Sequence, residues 1–172
     1  PFSLHNGGEH GVLRAHLARG NKQLEALREV TEALVVFQGP DCYVTPSWYP
    51  SKAEHGKVVP TWNFAMVQAR GKPQVIDDAD WVLAQVEQLT NNQEKGRTRP
   101  WKVSDAPDDY IATQLKGIVG FEISIHAIEG KWKMSQNRQL TDSQGVIDAL
   151  RNEESCPSML ETMERITEHQ LL

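Results

Sequence analysis

The sequence of 172 residues has little of what several common functional classes need. Its two cysteines, Cys42 and Cys156, lie far apart and lack metal-ligand spacing, so we expect reduced thiols rather than a disulfide framework or a cysteine-bound metal. No apolar run is long enough to span a bilayer, and the first residues do not resemble a signal peptide. We therefore expect a soluble, cytoplasmic protein without membrane association.

An excess of positive charge is also absent. Lysine and arginine number 18 against 23 aspartates and glutamates, which gives a formal net charge of −5. Contacts to nucleic-acid phosphates need a basic surface, so this balance argues against a stand-alone nucleic-acid binder, although a local basic patch stays open. Zinc-protease, Walker and dinucleotide-binding motifs are missing, and no histidine pair has metal spacing. The sequence thus predicts no metal site and identifies no catalytic residue.

Hydrophobic periodicity predicts an α+β fold of mainly antiparallel strands. Strands are predicted at 11–18, 33–38, 43–45, 58–69, 74–76, 118–128 and 131–135. The apolar run 33–38 is typical of a strand buried on both faces. Glycine and proline predict turns at 39–41, 70–73 and 129–130. Helices are predicted to begin near Asn21, at Asp77 or Asp78, and near Ser104, Thr141 and Ser158. The helix at Thr141 has a capping box from Thr141 to Gln144.

Two polar and aromatic segments lie in the first half of the chain. Segment 45–52 has two prolines, two aromatic residues, three hydroxyl side chains and a lysine, and a rigid loop of this kind can hold a phosphate. Its alternative role is a turn with exposed aromatic residues. In segment 57–63, strand alternation puts Lys57, Thr61 and Asn63 on one face, where they can grip an anion and the edge of a heterocycle. The alternative there is a solvated outer face.

A third polar segment, 130–138, lies near the predicted end of the sheet. Polar Lys131, Lys133 and Ser135 alternate with Trp132 and Met134. The pattern suits a planar anionic ligand or a single-stranded nucleic acid stacked on the tryptophan. An edge strand protected from aggregation by its lysines has the same pattern.

Together these segments resemble the PaiB-type FMN-binding proteins. The resemblance rests on the ordered strings HLARGN (16–21), FQGP (37–40), YVTPSWYPSK (43–52), GKVVPTWN (56–63), WKVSDAP (101–107), GIVG (117–120) and EGKWKMSQN (129–137). It extends from about His16 to about Leu150. It implies a split β-barrel of mainly antiparallel strands with peripheral helices.

The resemblance also implies an organisation and a function. We expect one FMN-binding domain over residues 1–172, with first barrel strands missing ahead of Pro1 and a helical region at about 139–172. We expect a homodimeric flavoprotein with FMN (flavin mononucleotide) at the dimer interface. The family is described as negative transcriptional regulators, and flavin-dependent oxidoreductase activity is a further expectation. Regulation through DNA or a protein partner without flavin is the alternative.

The positions that match the family's motifs predict the FMN site. They are Ser47, Trp48, Lys57, Thr61 and Asn63 in one subunit, with Trp132, Lys133, Ser135 and Gln136 contributed by the other. Lys57 and the hydroxyls would bind the phosphate through charge-assisted hydrogen bonds, and the flavin ring would lie against Trp48 or Trp132. A haem-binding split barrel is a further alternative, with His16, His55 and His126 as candidate axial ligands.

Overall fold

The computed structural model describes the backbone of residues 1–170 and the side chains as far as Thr167. The strands are β1 (Ser3–His5), β2 (Val12–Ala18), β3 (Ala33–Val44), β4 (Thr61–Ile76) and β5 (Ile118–Lys133). The α-helices are α1 (Gln23–Glu29), α2 (Ser51–His55), α3 (Ala79–Glu94), α4 (Asp108–Leu115), α5 (Leu140–Asn152) and α6 (Pro157–Gln170). Within the described residues, no helix is both long and apolar enough to cross a membrane.

The strands form one sheet in the order β1-β2-β5-β4-β3. Strand β2 pairs antiparallel with β1 and with β5; Leu13, for example, lies opposite Leu4 on one side and Ile123 on the other. The predicted class, mainly antiparallel strands with helices outside the sheet, is confirmed. Strand β3 is an edge strand.

The chain divides into two compact units, each with its own hydrophobic core. The first unit is Pro1–Val35 with Ala69–Ile128, and the second is Val36–Gln68 with Glu129–Leu172. The core of the first unit contains Leu13, Ala15, Ala69, Phe121, Ile123 and Ile125. The core of the second unit contains Cys42, Val44, Tyr49, Ala65, Met134, Val146, Ile147, Leu150, Met159 and Met163. The long strands β3, β4 and β5 each contribute residues to both units.

The helices begin close to where the sequence predicts them. Asp78 caps α3, because its Oδ1 accepts a hydrogen bond of 2.7 Å from the backbone N–H of Trp81. Helix α3 then continues to Glu94, and α4 ends at Leu115. The predicted capping box of α5 is wrong: Thr141 lies inside the helix, and the cap residue Gln139 makes no side-chain capping bond.

Strand β3 differs from its prediction in burial and in length. Leu34 is 47% exposed, Val36 50% and Phe37 39%, so the run 33–38 is not buried on both faces. The predicted turn at 39–41 is also wrong, because β3 continues through it to Val44. Both differences follow from the edge position, since an edge strand is covered less and tolerates Pro40, which cannot donate to a neighbour.

The hairpin turns predicted in β4 and β5 are wrong as well, since each strand runs without interruption. Gly71 does not have a positive φ. A Cβ there would lie 2.3 Å from the Ser124 carbonyl oxygen, so the glycine allows close approach of another strand. At Gly130 a Cβ would lie 2.3 Å from the Trp132 ring. Both glycines therefore make room inside strands.

Replacing Gly71 by alanine should destabilise the fold. The added Cβ would lie 2.3 Å from the Ser124 carbonyl oxygen, so the Ser124 backbone must move to admit it. We expect the Gly71→Ala variant to lose about 1–3 kcal/mol in free energy of unfolding, measured by urea denaturation. Gly20→Ala is the control, since a Cβ there meets nothing within 4 Å. Equal stability of the two variants would contradict the close approach.

Candidate functional site

All nine predicted site residues lie in the second unit. They come from three places in the chain: the loop after β3, the start of β4, and the end of β5 with the turn that follows it. The structure brings several of them into direct contact. Their role in ligand binding stays a prediction, and the contacts show which side chains are free to serve it.

Lys133 joins the end of β5 to the start of β4. Its ammonium donates hydrogen bonds to the Thr61 hydroxyl and, at 2.7 Å, to the backbone carbonyl of Trp62. An ammonium has three donors, so one remains for a ligand. Thr61 and Lys133 thus form one polar pair within a single chain, whereas the prediction took Lys133 from the other subunit.

Asn63 and Ser135 also meet, but inside the protein. Asn63 is fully buried and Ser135 is 4% exposed. The Ser135 hydroxyl donates to Asn63 Oδ1 at 3.1 Å, and Asn63 Nδ2 donates to Met163 Sδ at 3.4 Å. These bonds satisfy the buried amide, as a buried polar group requires. The pair holds β4 against the turn after β5.

Gln136 closes that turn with its side-chain amide. Its Oε1 accepts from the backbone N–H of Met134 at 2.6 Å, and its Nε2 donates to the carbonyl of Trp132 at 2.9 Å. The turn includes Ser135 at φ 63°, a left-handed conformation that is uncommon for a side-chain-bearing residue. Gln136 therefore holds Ser135 in the conformation that reaches Asn63.

The loop after β3 is fixed by local and distant contacts. Ser47 Oγ accepts from the Lys52 ammonium at 3.0 Å, and Trp48 Nε1 donates to Glu153 at 2.9 Å. A Cβ on Gly145 of α5 would lie 2.3 Å from the Trp48 carbonyl oxygen, so the loop rests directly on that helix. Among the described residues, no hydrogen bond joins Ser47 or Trp48 to the Thr61–Lys133 pair.

The strongest anchor of this region is a buried pair that the sequence analysis missed. Ser51 is 4% exposed and Asp142 of α5 is 3% exposed. The Ser51 backbone N–H donates to Asp142 Oδ1 at 3.1 Å, and the Ser51 hydroxyl donates to Oδ2 at 2.7 Å. Both carboxylate oxygens are therefore occupied within the protein. Nothing in the sequence links these residues, which lie 91 positions apart.

A cavity of about 230 Å³ opens beside this pair. It is lined by Ser51, His55, Lys57, Val58, Asn137, Arg138, Gln139 and Asp142. Lys57 and Arg138 bring two positive charges, while the one carboxylate in the lining, that of Asp142, is bound by Ser51. The free donors of this lining suit an anion.

Arg138 has a second contact that holds it at the cavity. Its guanidinium lies over the ring of the buried Tyr49, 4.7 Å from the ring centroid. Burial raises the pKa of the Tyr49 hydroxyl, while the nearby Arg138 acts in the opposite direction. Arg138 was not among the predicted site residues, although it ends segment 130–138.

Two tryptophans of the second unit present large exposed surfaces. Trp132 is 49% exposed and Trp62 is 53% exposed. Trp62 contacts Tyr43 edge-on, with 6.0 Å between ring centroids. Trp132 is available as a stacking surface as predicted, and Trp62 is an additional one.

The three histidines considered as haem ligands occupy different settings. His16 Nδ1 is 2.7 Å from Gln85 Oε1, and His126 Nε2 is 3.0 Å from Glu32. His55 Nδ1 accepts from the backbone N–H of Lys57 at 3.0 Å. Haem binding stays a prediction. Within the described part of the chain, no group of three or more histidine, cysteine, aspartate or glutamate residues is placed to hold a metal ion.

The structure thus combines an antiparallel sheet with a cationic cavity and exposed tryptophans. Comparison with known families gives the particular class: residues 1–127 match the model of the "Putative FMN-binding domain" family, and the chain belongs to this family. The family confirms the resemblance and, with the sheet described above, the split-barrel fold class. The match ends before the segment that carries Trp132 and Lys133.

Several relatives cover most of the chain. It is 39% identical over 169 residues to an uncharacterised protein of Emericella nidulans, covering 83% of this chain and 67% of the relative. A second uncharacterised protein, from Aspergillus fumigatus, is 38% identical over 80% of this chain and 65% of its own length. The protease synthase and sporulation protein PAI 2 of Bacillus subtilis is 34% identical over 95% of this chain and 77% of its own length. The chain thus spans about two thirds of the fungal relatives' length.

Two solved structures are similar to the chain at a lower level. The FAD and haem binding protein from Mycobacterium smegmatis has a TM-score of 0.49 and 19% identity, covering 77% of this chain and 58% of that one. The flavocytochrome Anf3 from Azotobacter vinelandii has a TM-score of 0.46 and 14% identity, covering 73% of this chain and 52% of that one.

The Ser51–Asp142 pair can be tested by stability. Ser51→Ala removes a buried hydroxyl that donates to a carboxylate, so we expect a loss of about 1.5–3 kcal/mol in free energy of unfolding, measured by denaturant titration. Ser158→Ala replaces an exposed serine and should change stability by less than about 0.5 kcal/mol. A Ser51→Ala variant as stable as this control would show that the pair does not anchor the loop.

Proposed function

We propose that the second unit binds FMN, with the phosphate in the cavity beside Lys57 and Arg138. The observation that carries this proposal is the donor set of the cavity: two cations and free side-chain amides, with the single carboxylate already bound by Ser51. A phosphate takes strong, charge-assisted hydrogen bonds from such groups. Membership of the FMN-binding family supports the choice of ligand.

The size of the cavity sets how much of the ligand it takes. Sites that bury a whole ligand of drug-like size measure roughly 300–1,000 Å³. At about 230 Å³ this cavity holds one end of a nucleotide and leaves the ring outside. Trp132 and Trp62 are the exposed aromatic surfaces of the same unit. We assign the ring to Trp132 and keep Trp48 as the alternative, with its indole N–H held by Glu153.

A flavin bound in this way would supply one- and two-electron transfer to the protein. The chain's own contribution is position and charge: Lys57 and Arg138 fix the phosphate, and the remaining donor of Lys133 is available to the ligand. An FMN-dependent oxidoreductase is therefore the enzyme activity we propose, with the hydride chemistry belonging to the cofactor. No side chain is assigned as a general acid or base.

A homodimer with FMN at its interface is proposed from the same unit. Tyr43 of β3 and Trp62 of β4 meet edge-on and are 47% and 53% exposed, so together they form an exposed aromatic patch. Apolar patches of this kind mark interaction sites. A second subunit placed there would cover these side chains and could enclose the flavin ring that the cavity leaves outside.

A role in negative transcriptional regulation is proposed on the similarity to the Bacillus subtilis protein, whose name links it to protease synthase and sporulation. The acidic net charge of −5 favours action through a protein partner over direct DNA binding. Gel-shift measurements at physiological salt separate the two routes, since direct binding requires a shift.

The phosphate assignment can be tested by comparing FMN with riboflavin, which lacks the phosphate. Lys57→Ala should weaken FMN binding by about 1–3 kcal/mol, roughly 5–150-fold in Kd, because a charge-assisted hydrogen bond is lost. Riboflavin affinity should change little. Both values are measured by quenching of flavin fluorescence on titration with protein.

Two further variants sharpen this test. Arg138→Ala should lower FMN affinity in the same selective way, whereas Lys72→Ala, which removes an exposed lysine of the first unit, should leave both affinities unchanged. Equal losses for FMN and riboflavin would place Lys57 away from the phosphate. A wild-type protein that binds neither ligand would remove the proposed function altogether.

The dimer can be tested by sedimentation equilibrium. We expect a mass twice the 19.4 kDa of one chain. Trp62→Ser should shift the protein toward monomer, since it removes an aromatic side chain from the proposed interface, while Trp101→Ser, at an exposed tryptophan of the first unit, should not. A monomeric wild-type protein in the presence of saturating FMN would refute the interface.

A further inference from the structure

The two cysteines lie far apart in sequence but belong to one core. Cys42 lies on β3 and is 4% exposed, and Cys156 lies immediately before α6 and is half-buried. Cys156 packs against the hydrophobic cluster that contains Cys42. Both thiols are free in this structure. Neither residue has a role in the FMN site described above.

Cys156 packs against the core cluster that contains Cys42, and the two thiols interact there. Burial raises the pKa of the Cys42 thiol to about 12, and a hydrogen-bonding interaction with the Cys156 thiol is the next cause of this rise. Cys42 Sγ also lies 3.4 Å from the carbonyl oxygen of Tyr43, to which it donates. Cys42 is thus a protonated, sheltered thiol, and Cys156 is the more accessible of the two.

Cys156 lies in the short connection between helices α5 and α6. Glu154 and Cys156 have φ values of 50° and 49°, in the left-handed region, and the buried Ser155 hydroxyl has no partner among the described residues. The Cys156 carbonyl accepts from the N–H groups of Met159 and Leu160, at 2.9 and 3.1 Å, and so begins α6. Cys156 thus lies directly before the first residue of α6.

We propose that Cys42 and Cys156 form an intramolecular disulfide when the protein meets a hydroperoxide. The Cys156 sulfur attacks the peroxide oxygen, the O–O bond breaks, and Cys156 becomes a sulfenic acid with release of one water from hydrogen peroxide. The Cys42 sulfur then attacks the sulfenic sulfur, and its thiol proton leaves with the hydroxyl as a second water. Two thiols are oxidised by two electrons, and the peroxide is reduced to water.

The bond would link β3 covalently to the start of α6. It also affects the loop that carries Trp48, because Glu153, which accepts from the Trp48 indole at 2.9 Å, lies only three residues before Cys156. Closing a long loop restricts the unfolded chain, so the oxidised protein should be more stable than the reduced protein. The cysteine pair thus adds an oxidation-dependent link to the unit proposed to bind FMN. Formation of this link does not depend on FMN binding.

The test is mild oxidation of the full chain, free of FMN, with a small excess of hydrogen peroxide, followed by intact-mass measurement without reductant. We expect a monomeric species lighter by two hydrogen atoms, and proteolysis at acidic pH should yield one peptide pair joined through Cys42 and Cys156. Its melting temperature should rise by about 5–10 °C and return to the starting value after dithiothreitol.

Cysteine variants identify the order of events. Cys42→Ala should stop at a Cys156 product heavier by oxygen, trapped by dimedone, because the second thiol is missing. Cys156→Ser should give neither the lighter species nor the trapped product. Wild-type protein that only gains oxygen atoms, or that forms disulfides only between two chains, would overturn the proposal.

Discussion

The buried carboxylate of Asp142 is the constraint on which the second unit depends. It accepts two hydrogen bonds from Ser51, the first residue of the five-residue helix α2. A helix this short is not stable on its own, so its position comes from this tertiary bond. Gly56 ends the helix in a left-handed conformation at φ 66°, and Lys57 follows directly. The placement of the lysine at the cavity thus begins with a carboxylate on α5.

The sequence predicts most of the elements because helix signals are local. Asp78 caps α3 as expected, and α6 begins at Pro157, next to the predicted start at Ser158. The wrongly predicted turns all concern glycine and proline inside strands. A glycine allows a turn, but it also allows another group to approach the backbone closely, and the sequence does not distinguish these uses. At Gly71 that group is the backbone of another strand, and at Gly130 it is the ring of Trp132 in the same strand.

The candidate site was only partly predictable for a related reason. Thr61 and Asn63 share one face of β4, as alternation predicts, but that face turns inward and buries Asn63 completely. Lys57 is not on the same strand, because β4 begins only after Pro60. Arg138 and Asp142 complete the cavity from a distant part of the chain, and one sequence contains no signal that pairs them with Ser51 and Lys57.

The uncovered edge strand β3 has a consequence for handling the purified protein. An edge strand with exposed Val36 and Phe37 is a template on which other chains can add strands. Pro40 interrupts the row of donors near the middle of the strand, and so limits uncontrolled strand addition. Concentrated preparations should therefore become turbid before dilute ones, unless a partner covers this edge.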